Sequence, residues 1–271
     1  MKDSPYFDPA AIAVYERVTA PFQFAPPAAD LVAMLRLASD AVVLDVGTGT
    51  GVVARAARSA LGPTGLVVGV DGSIDMLRFA QRATARLAVA RVPALPFCDR
   101  TFDAVMAGFV VTHFESYERG LTEMVRVCRT NGRVGVSVWG SAPNAAAAIW
   151  SDTAGQYAAR ERLNAAFHDH IPWDEWFSES GNVSRALETA GLASVVVDTR
   201  HYTVRMPTPD YLRSRETSMQ GIGLRRAVTD HQWDEFRERA AAVFRRECGE
   251  TVEYVRDVHF GVGTTRFSPE V

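Results

Sequence analysis

The stretch VLDVGTGTG at residues 43–51 decides how the rest of the chain is interpreted. An apolar run ends in Asp45, and three glycines then occupy alternate positions, Gly47, Gly49 and Gly51. The run predicts a buried strand, because a parallel strand covered on both faces is apolar throughout. The glycines predict a loop whose backbone takes positive φ or approaches a ligand closely. The stretch is typical of a strand, loop and helix that hold a nucleotide-like ligand. A tight turn that binds nothing is the alternative.

Apolar runs at regular intervals predict the rest of the sheet. The first five runs lie before residue 140, at residues 41–46, 66–70, 87–92, 102–110 and 133–139. Helical patterns separate them, and two further strands are predicted at 195–204 and 252–265. Strands that alternate with helices indicate a parallel sheet covered on both faces. We therefore expect an α/β fold, a Rossmann-like doubly wound and mostly parallel seven-stranded sheet with a helical lid.

The lid is expected from three segments that lie outside this rhythm. They are residues 1–40, 141–182 and 207–250 of a single domain that spans 1–271. Pro21, Pro26 and Pro27 are expected to interrupt the amphipathic helix of the first segment. Thr229 and Gln232 have the spacing of a capping box and predict the start of a helix in the third.

Composition excludes several classes of protein. The chain has 271 residues and a formal net charge of −3, and it has no basic tract for a nucleic-acid backbone. Its cysteines, Cys98, Cys128 and Cys248, are far apart and form no CxxC pair. No apolar run approaches the ~18 residues of a membrane span, and the first ten residues do not resemble a signal peptide. We expect a reduced cytoplasmic protein that acts on a small molecule.

The charge around the glycines indicates which ligand the loop holds. In the dinucleotide fingerprint G-x-G-x-x-G the third glycine comes one residue later, at the position of Val52. Asp45 is a poor neighbour for a pyrophosphate and a good one for a cation. Asp71 ends the second predicted strand, where a carboxylate can accept both hydrogens of a ribose diol. A ligand with a ribose, a positive charge and no phosphate fits, and S-adenosylmethionine is such a ligand.

Four motifs then support a resemblance to a known family. They are VLDVGTGTG, GVDGSIDML at 69–77, LPFCDRTFDAV at 95–105 and NGRVGVSVWG at 131–140. In this order they resemble the class I S-adenosylmethionine-dependent methyltransferases, and most of all the ubiquinone/menaquinone-type branch, which methylates small molecules. The resemblance covers residues 42–140 closely and the later strands more weakly.

The resemblance implies a cofactor site. Gly47 and Gly49 would line the methionine half with Asp45 near its amino group, and Asp71 would bind the ribose hydroxyls. Met76 would pack on the adenine, with Leu95 and Phe97 at its border, and Phe109 would lie beside the methionine moiety. The residues expected to bind the cofactor are Asp45, Gly47, Thr48, Gly49, Gly51, Asp71, Gly72, Met76, Val92, Leu95, Phe109 and, from the N-terminal helix, Tyr15.

One position departs from the family pattern. The family often has an Asp that accepts from the adenine amino group, and Arg91 stands in its place in LAVARVPALPF at residues 87–97. Arginine cannot accept a hydrogen bond, although the Val92 N–H could still reach a ring nitrogen. We expect Arg91 to point into solvent.

Methyl transfer is an in-line displacement that needs alignment and exclusion of water, and a base only for a weakly acidic acceptor. His113 follows the fourth predicted strand and is the candidate base, with a role in shaping the loop as the alternative. Trp173, Trp176 and Phe177 are expected to line a pocket for a flat or apolar acceptor, with packing inside the lid as the alternative.

A metal site is not expected. His168, Asp169 and His170 are consecutive, so the two histidines do not have the i, i+4 spacing of paired ligands on a helix. No further ligand is visible in the sequence. Two rival functions stay open. One is an NAD(P)-dependent oxidoreductase, and the other is an S-adenosylmethionine-binding protein that transfers no methyl group. The oligomeric state is not predicted.

Overall fold

A computed structural model describes residues 8–84, 86–163 and 170–266 of the chain. The seven strands are β1 Val42–Val46, β2 Leu66–Asp71, β3 Leu87–Val89, β4 Phe102–Gly108, β5 Cys128–Trp139, β6 Leu192–Pro207 and β7 Thr251–Thr265. The α-helices are α1 Pro9–Val14, α2 Ala25–Leu35, α3 Val52–Ala60, α4 Ile74–Ala80, α5 Tyr117–Val127, α6 Ala145–Ala154, α7 Asp174–Phe177, α8 Ser180–Thr189, α9 Thr208–Glu216, α10 Met219–Ala227 and α11 Asp230–Cys248. A π-helical segment, Tyr15–Phe24, joins α1 to α2, and a short 3₁₀ turn covers Val111–His113.

The strands form one sheet in the order β3-β2-β1-β4-β5-β7-β6. The first five are parallel, and Leu44 of β1 lies between Val68 of β2 and Val105 of β4. β7 runs antiparallel to both of its neighbours, β5 and β6. This architecture confirms the predicted fold class, with every predicted strand present.

Apolar clusters cover both faces of the sheet. One contains Leu121 and Met124 of α5 together with Val183 of α8. The other contains Leu31 and Leu35 of α2 and side chains of α3. α2 therefore belongs to the layer that covers the sheet, although its sequence lies within the first expected lid segment.

The prolines of the first segment do not break its helix. Pro21 lies inside the π-helical segment, whose wider hydrogen-bond pattern accommodates a residue that donates no N–H. Pro26 lies in the first turn of α2, where a missing N–H leaves no bond unmade. Pro27 follows in the same turn, so the backbone stays helical through all three prolines and the expected interruption was wrong.

β6 and β7 extend beyond the rest of the sheet as a two-stranded ribbon, and the helices between them pack on it. β7 pairs with β5 only as far as Val258, whereas β6 and β7 stay paired out to Pro207 and Thr251. α6, α9, α10 and α11 pack on this ribbon around Trp150 and Phe236. None of the helices in the described ranges combines the length and apolar character needed to cross a membrane.

Candidate active site

The glycine loop has the backbone that its sequence predicts. Gly47, Gly49 and Gly51 take φ values of 67°, 55° and 88°. A Cβ on Gly47 would lie 2.3 Å from Cγ2 of Val110, and one on Gly51 would lie 2.7 Å from Cβ of Ala83. A Cβ on Gly49 would meet nothing closer than 4.0 Å. Gly47 and Gly51 are therefore required by packing, and Gly49 faces open space where a ligand can approach.

Asp45 is buried beneath this loop. Its Oδ2 accepts a hydrogen bond of 2.7 Å from the Thr48 hydroxyl, and its Oδ1 has no hydrogen-bond partner among the described residues. Burial raises the pKa of Asp45 to about 7, although the Thr48 hydroxyl and the nearby Ala54 N–H lower it. The carboxyl group is therefore much more readily protonated than an ordinary aspartate, and a nearby cation would favour its charged form.

Asp71 ends β2 and holds the loop from the other side. Its Oδ2 accepts from the Gly49 N–H at 2.9 Å, and its Oδ1 accepts from the Ser73 N–H at 2.8 Å. Burial raises the pKa of this carboxyl group, while the two N–H groups lower it. Each oxygen keeps a further lone pair, so the group can accept a diol while it stays fixed by the backbone.

Arg91 is exposed but lies over the turn that follows Asp71. A Cβ on Gly72 would lie 2.7 Å from its Nε, and its positive charge lowers the pKa of Asp71. Its exposure agrees with the expectation that it points into solvent, although the side chain also lies close to Gly72. The pairing of β3 with β2 brings it there, because Val89 lies opposite Asp71 in the register.

The residues expected around the adenine lie on this side of the sheet. Met76 is buried in α4. Leu95 is buried in the core, and its N–H donates to Glu123 at 2.8 Å. Phe97 and Val92 pack against the same cluster.

Aromatic rings gather at the carboxyl ends of β4 and β5. Phe109 has a φ of 56° and its ring lies 4.2 Å from that of Trp139. Phe24 contacts both rings, and its centre is 5.3 Å from that of Tyr15. The N-terminal helical segment thus reaches the end of the sheet. Sequence reasoning found Tyr15 and Phe109 but missed Phe24 and Trp139, since nothing in their spacing relates them.

A cavity of about 420 Å³ opens beside these rings. Apolar and small polar side chains line it, together with one arginine, Arg215. The lining residues include Ile12, Tyr15, Phe24, Met76, Ser151, Ile171, Arg215 and Met219. Tyr15 and Met76 are the two predicted cofactor-site residues among those that line it.

The three aromatic residues expected in the acceptor pocket lie elsewhere. Trp173, Trp176 and Phe177 pack around Tyr117, with ring centres 4.8, 4.6 and 5.2 Å from its own. Phe177 is fully buried, and the indole N–H of Trp173 donates to the Phe114 carbonyl at 2.9 Å. They do not line the cavity, so the packing alternative replaces the predicted pocket role. Their apolar character suits either role, and only the tertiary structure separates the two.

His113 is held in the 3₁₀ turn after β4. Its Nδ1 lies 3.1 Å from the His170 carbonyl, which can only accept, so Nδ1 carries the proton of the neutral ring. Burial lowers the pKa of His113 to about 4, and the bond to the carbonyl offsets this only in part. The imidazole is neutral at pH 7. It is not among the residues that line the cavity.

Within the described ranges no three His, Cys, Asp or Glu side chains come close enough to hold a metal ion. His168 and Asp169, which were considered above with His170 as possible metal ligands, lie outside the described residues.

Comparison with known proteins agrees with this geometry. Residues 44–136 match the family model of a methyltransferase domain. The chain is 36% identical over 110 residues to a demethylmenaquinone methyltransferase of Lactiplantibacillus plantarum, which covers 38% of this chain and 46% of that protein. It is 36% identical over 99 residues to the ubiquinone/menaquinone biosynthesis C-methyltransferase UbiE of Geobacter sulfurreducens, covering 34% and 39%. The chain thus spans less than half the length of either relative.

Solved structures extend the likeness to the whole fold. A phosphoethanolamine N-methyltransferase 2 of Haemonchus contortus, in complex with phosphomonomethylethanolamine and S-adenosylhomocysteine, superposes with a TM-score of 0.58 at 16% identity. The match covers 96% of this chain and 58% of that one. The YcgJ protein of Bacillus subtilis gives 0.52 at 14% identity, over 90% and 100%. Residues 44–136 thus match a methyltransferase-domain model, and the sheet in which they lie has the same fold as these structures.

Proposed function

We propose that this protein transfers a methyl group from S-adenosylmethionine to an O, N or C atom of a small organic acceptor. One observation carries the proposal. Asp71, with two lone pairs to spare, is fixed by the N–H groups of Gly49 and Ser73 beside a glycine that faces open space. The methyltransferase-domain match over residues 44–136 supports it.

The residues present fit the cofactor. Asp71 would accept from the ribose hydroxyls, and the backbone at Gly49 would lie against the methionine half. Asp45 has a buried oxygen without a hydrogen-bond partner in the described part of the chain, and a nearby ammonium or sulfonium group would draw it to its charged form. S-adenosylmethionine, when bound there, would supply an electrophilic methyl group.

The chain would contribute alignment and exclusion of water. Tyr15, Phe24 and Met76 line the cavity, so an acceptor in it would be held by apolar contacts away from bulk solvent. The acceptor would therefore be a small organic molecule and not a nucleic acid, in keeping with the slight net negative charge. We place the protein in the cytoplasm on the basis of its unpaired cysteines.

His113 would act as a general base only where the acceptor is weakly acidic. A base must be neutral to take a proton, and the pKa of His113 is lowered to about 4. Turnover should then rise with pH through about 4 and not through the ~6.5 of an unperturbed imidazole. His113→Ala should remove this acidic limb and slow turnover about 10²–10⁴-fold. If the acidic limb persists in the variant, another group titrates there, and the role of His113 is limited to shaping its loop.

Two rivals are separated from the proposal by binding and by turnover. Isothermal titration of the protein with S-adenosylhomocysteine and with NAD⁺ tests the ligand. Binding of the first alone supports the proposal, and binding of NAD⁺ alone supports the oxidoreductase. Release of S-adenosylhomocysteine from S-adenosylmethionine, measured over a panel of small aromatic and aliphatic acceptors, then separates a methyltransferase from a protein that only binds the cofactor.

A further inference from the structure

Arg215 of α9 lines the cavity and has no acidic partner within 4 Å among the described residues. It donates a hydrogen bond from Nη2 to the amide oxygen of Gln220. Its Nε is buried and has no hydrogen-bond partner in the described part of the chain. Its guanidinium carbon lies 5.7 Å from the centre of the Trp150 ring.

Arg256 of β7 is a second arginine, close enough to Arg215 for their charges to interact. Its guanidinium carbon lies 3.9 Å from the centre of the Trp139 ring, in the aromatic group at the end of the sheet. Burial lowers its pKa, and the charge of Arg215 lowers it further, while Tyr254, Asp174 and Tyr211 act in the opposite direction. Within residues 8–84, 86–163 and 170–266 it forms no ion pair. Two partly buried positive charges thus repel each other.

A bound anion would offset both the repulsion between the two arginines and the hydration that each loses by partial burial. Arg213, on the same helix, shows the ordinary solution, since it is exposed and pairs with Asp210 at 3.3 Å. No carboxylate of the described chain plays this part for Arg215. The missing partner would enter with a ligand, and the cavity that Arg215 lines provides room for it.

We propose that the acceptor is an organic acid, an apolar body that carries a carboxylate or phosphate group bound by Arg215, with Arg256 adding to the positive potential. The inference rests on the proposed function, because it assigns the cavity to the acceptor. Ile12, Phe24 and Met219 would contact the apolar body. A guanidinium can bind either anion with two hydrogen bonds, so both chemistries share the site.

Calorimetry on protein saturated with S-adenosylhomocysteine tests the proposal, with 2-naphthoate, 2-naphthyl phosphate and the neutral 2-naphthamide as probes. We expect the preferred anion to bind at least about tenfold more tightly than the amide, and the better of the two anions identifies the acidic group. Arg215→Gln should weaken that anion about 10–100-fold and leave the amide unchanged. Arg256→Gln should weaken it less, and Arg213→Gln, the matched control, should bind like the wild type.

Two further measurements distinguish a failure of this proposal from a failure of the proposed function. S-adenosylhomocysteine should bind Arg215→Gln as it binds the wild type, and the variant should unfold at no lower a temperature, because the substitution removes a partly buried charge that has no acidic partner among the described residues. Weaker S-adenosylhomocysteine binding by Arg215→Gln would instead assign that arginine to the cofactor carboxylate and overturn the proposal. So would equal binding of amide and anions, or binding of none of the probes. A wild-type protein that does not bind S-adenosylhomocysteine at all fails the proposed function itself.

Discussion

The sheet and the helices that stand on the β6–β7 ribbon both bury apolar side chains completely, yet they use different residues to do so. The strands contribute branched aliphatic side chains such as Leu44 and Val105. The helical cluster depends on aromatic rings, and Trp150 and Phe236 meet edge to face with centres 4.9 Å apart. The aliphatic strands include β1, which leads into the glycine loop that we propose as part of the cofactor site. The aromatic cluster has no motif of its own, so the two regions should respond differently to substitution.

The largest expected effect is at the glycine loop. Gly47→Ala would place a Cβ 2.3 Å from Val110 at a φ of 67°. Positive φ and the clash together should lower the free energy of unfolding by about 2–5 kcal/mol. Gly49→Ala is the matched control, because it shares the positive φ but meets no atom, and it should lose only about 1–2 kcal/mol. Urea unfolding of both variants measures the difference, and equal losses would mean that the packing of Gly47 is not what requires glycine.

A smaller effect is expected at Asp45. Burial raises the pKa of folded Asp45 to about 7, above the ~3.9 of an unperturbed aspartate, so the folded state binds an extra proton between these values. Its contribution to stability is therefore present at low pH and is lost as the pH rises from about 4 to 7, by about 3 kcal/mol. Asp45→Asn cannot ionise and should lack this loss. The stability of the variant relative to the wild type should grow over that pH range in urea unfolding. A difference that stays constant with pH would show that Asp45 is ionised throughout.

The smallest expected effect is in the helical region. Thr229 caps α11, where its hydroxyl accepts from the Gln232 N–H at 3.3 Å and completes a capping box. Thr229→Ala should lower the free energy of unfolding by about 1 kcal/mol. Affinity for S-adenosylhomocysteine should not change, because the substitution lies in the region that we assign to the acceptor. Thermal unfolding and calorimetry of one preparation provide both values. A large loss of affinity would mean that the two regions are coupled.

The contrast also explains how much could be predicted from the sequence. The strands, the sheet class and the meeting of Asp45 with Asp71 follow from apolar runs and from the carboxyl ends of parallel strands. The cavity did not follow, because residues as distant in the chain as Ile12, Ser151 and Arg215 form it together. The same holds for the low pKa of His113, which depends on burial.

The sequence also does not predict where a side chain lies when its chemistry suits two environments. Trp173 and its neighbours could form a pocket or a core, and their packing on Tyr117 decides for the core. Arg91 is exposed as expected, but only the register of β3 against β2 brings it close to Gly72. In both cases the chemistry of the residue was known and its neighbours were not.

The central claim is that the end of β2 binds the ribose of S-adenosylmethionine, and calorimetry of Asp71→Asn tests it most directly. The variant keeps the size of the side chain but loses one of the two acceptor oxygens. S-adenosylhomocysteine should bind about 1.5–3 kcal/mol more weakly than to the wild type. Asp75→Asn is the matched control, because Asp75 lies in α4 and pairs with Arg78. This variant should bind S-adenosylhomocysteine as the wild type does. An unchanged affinity in a folded Asp71→Asn protein would contradict the account and place the ribose elsewhere.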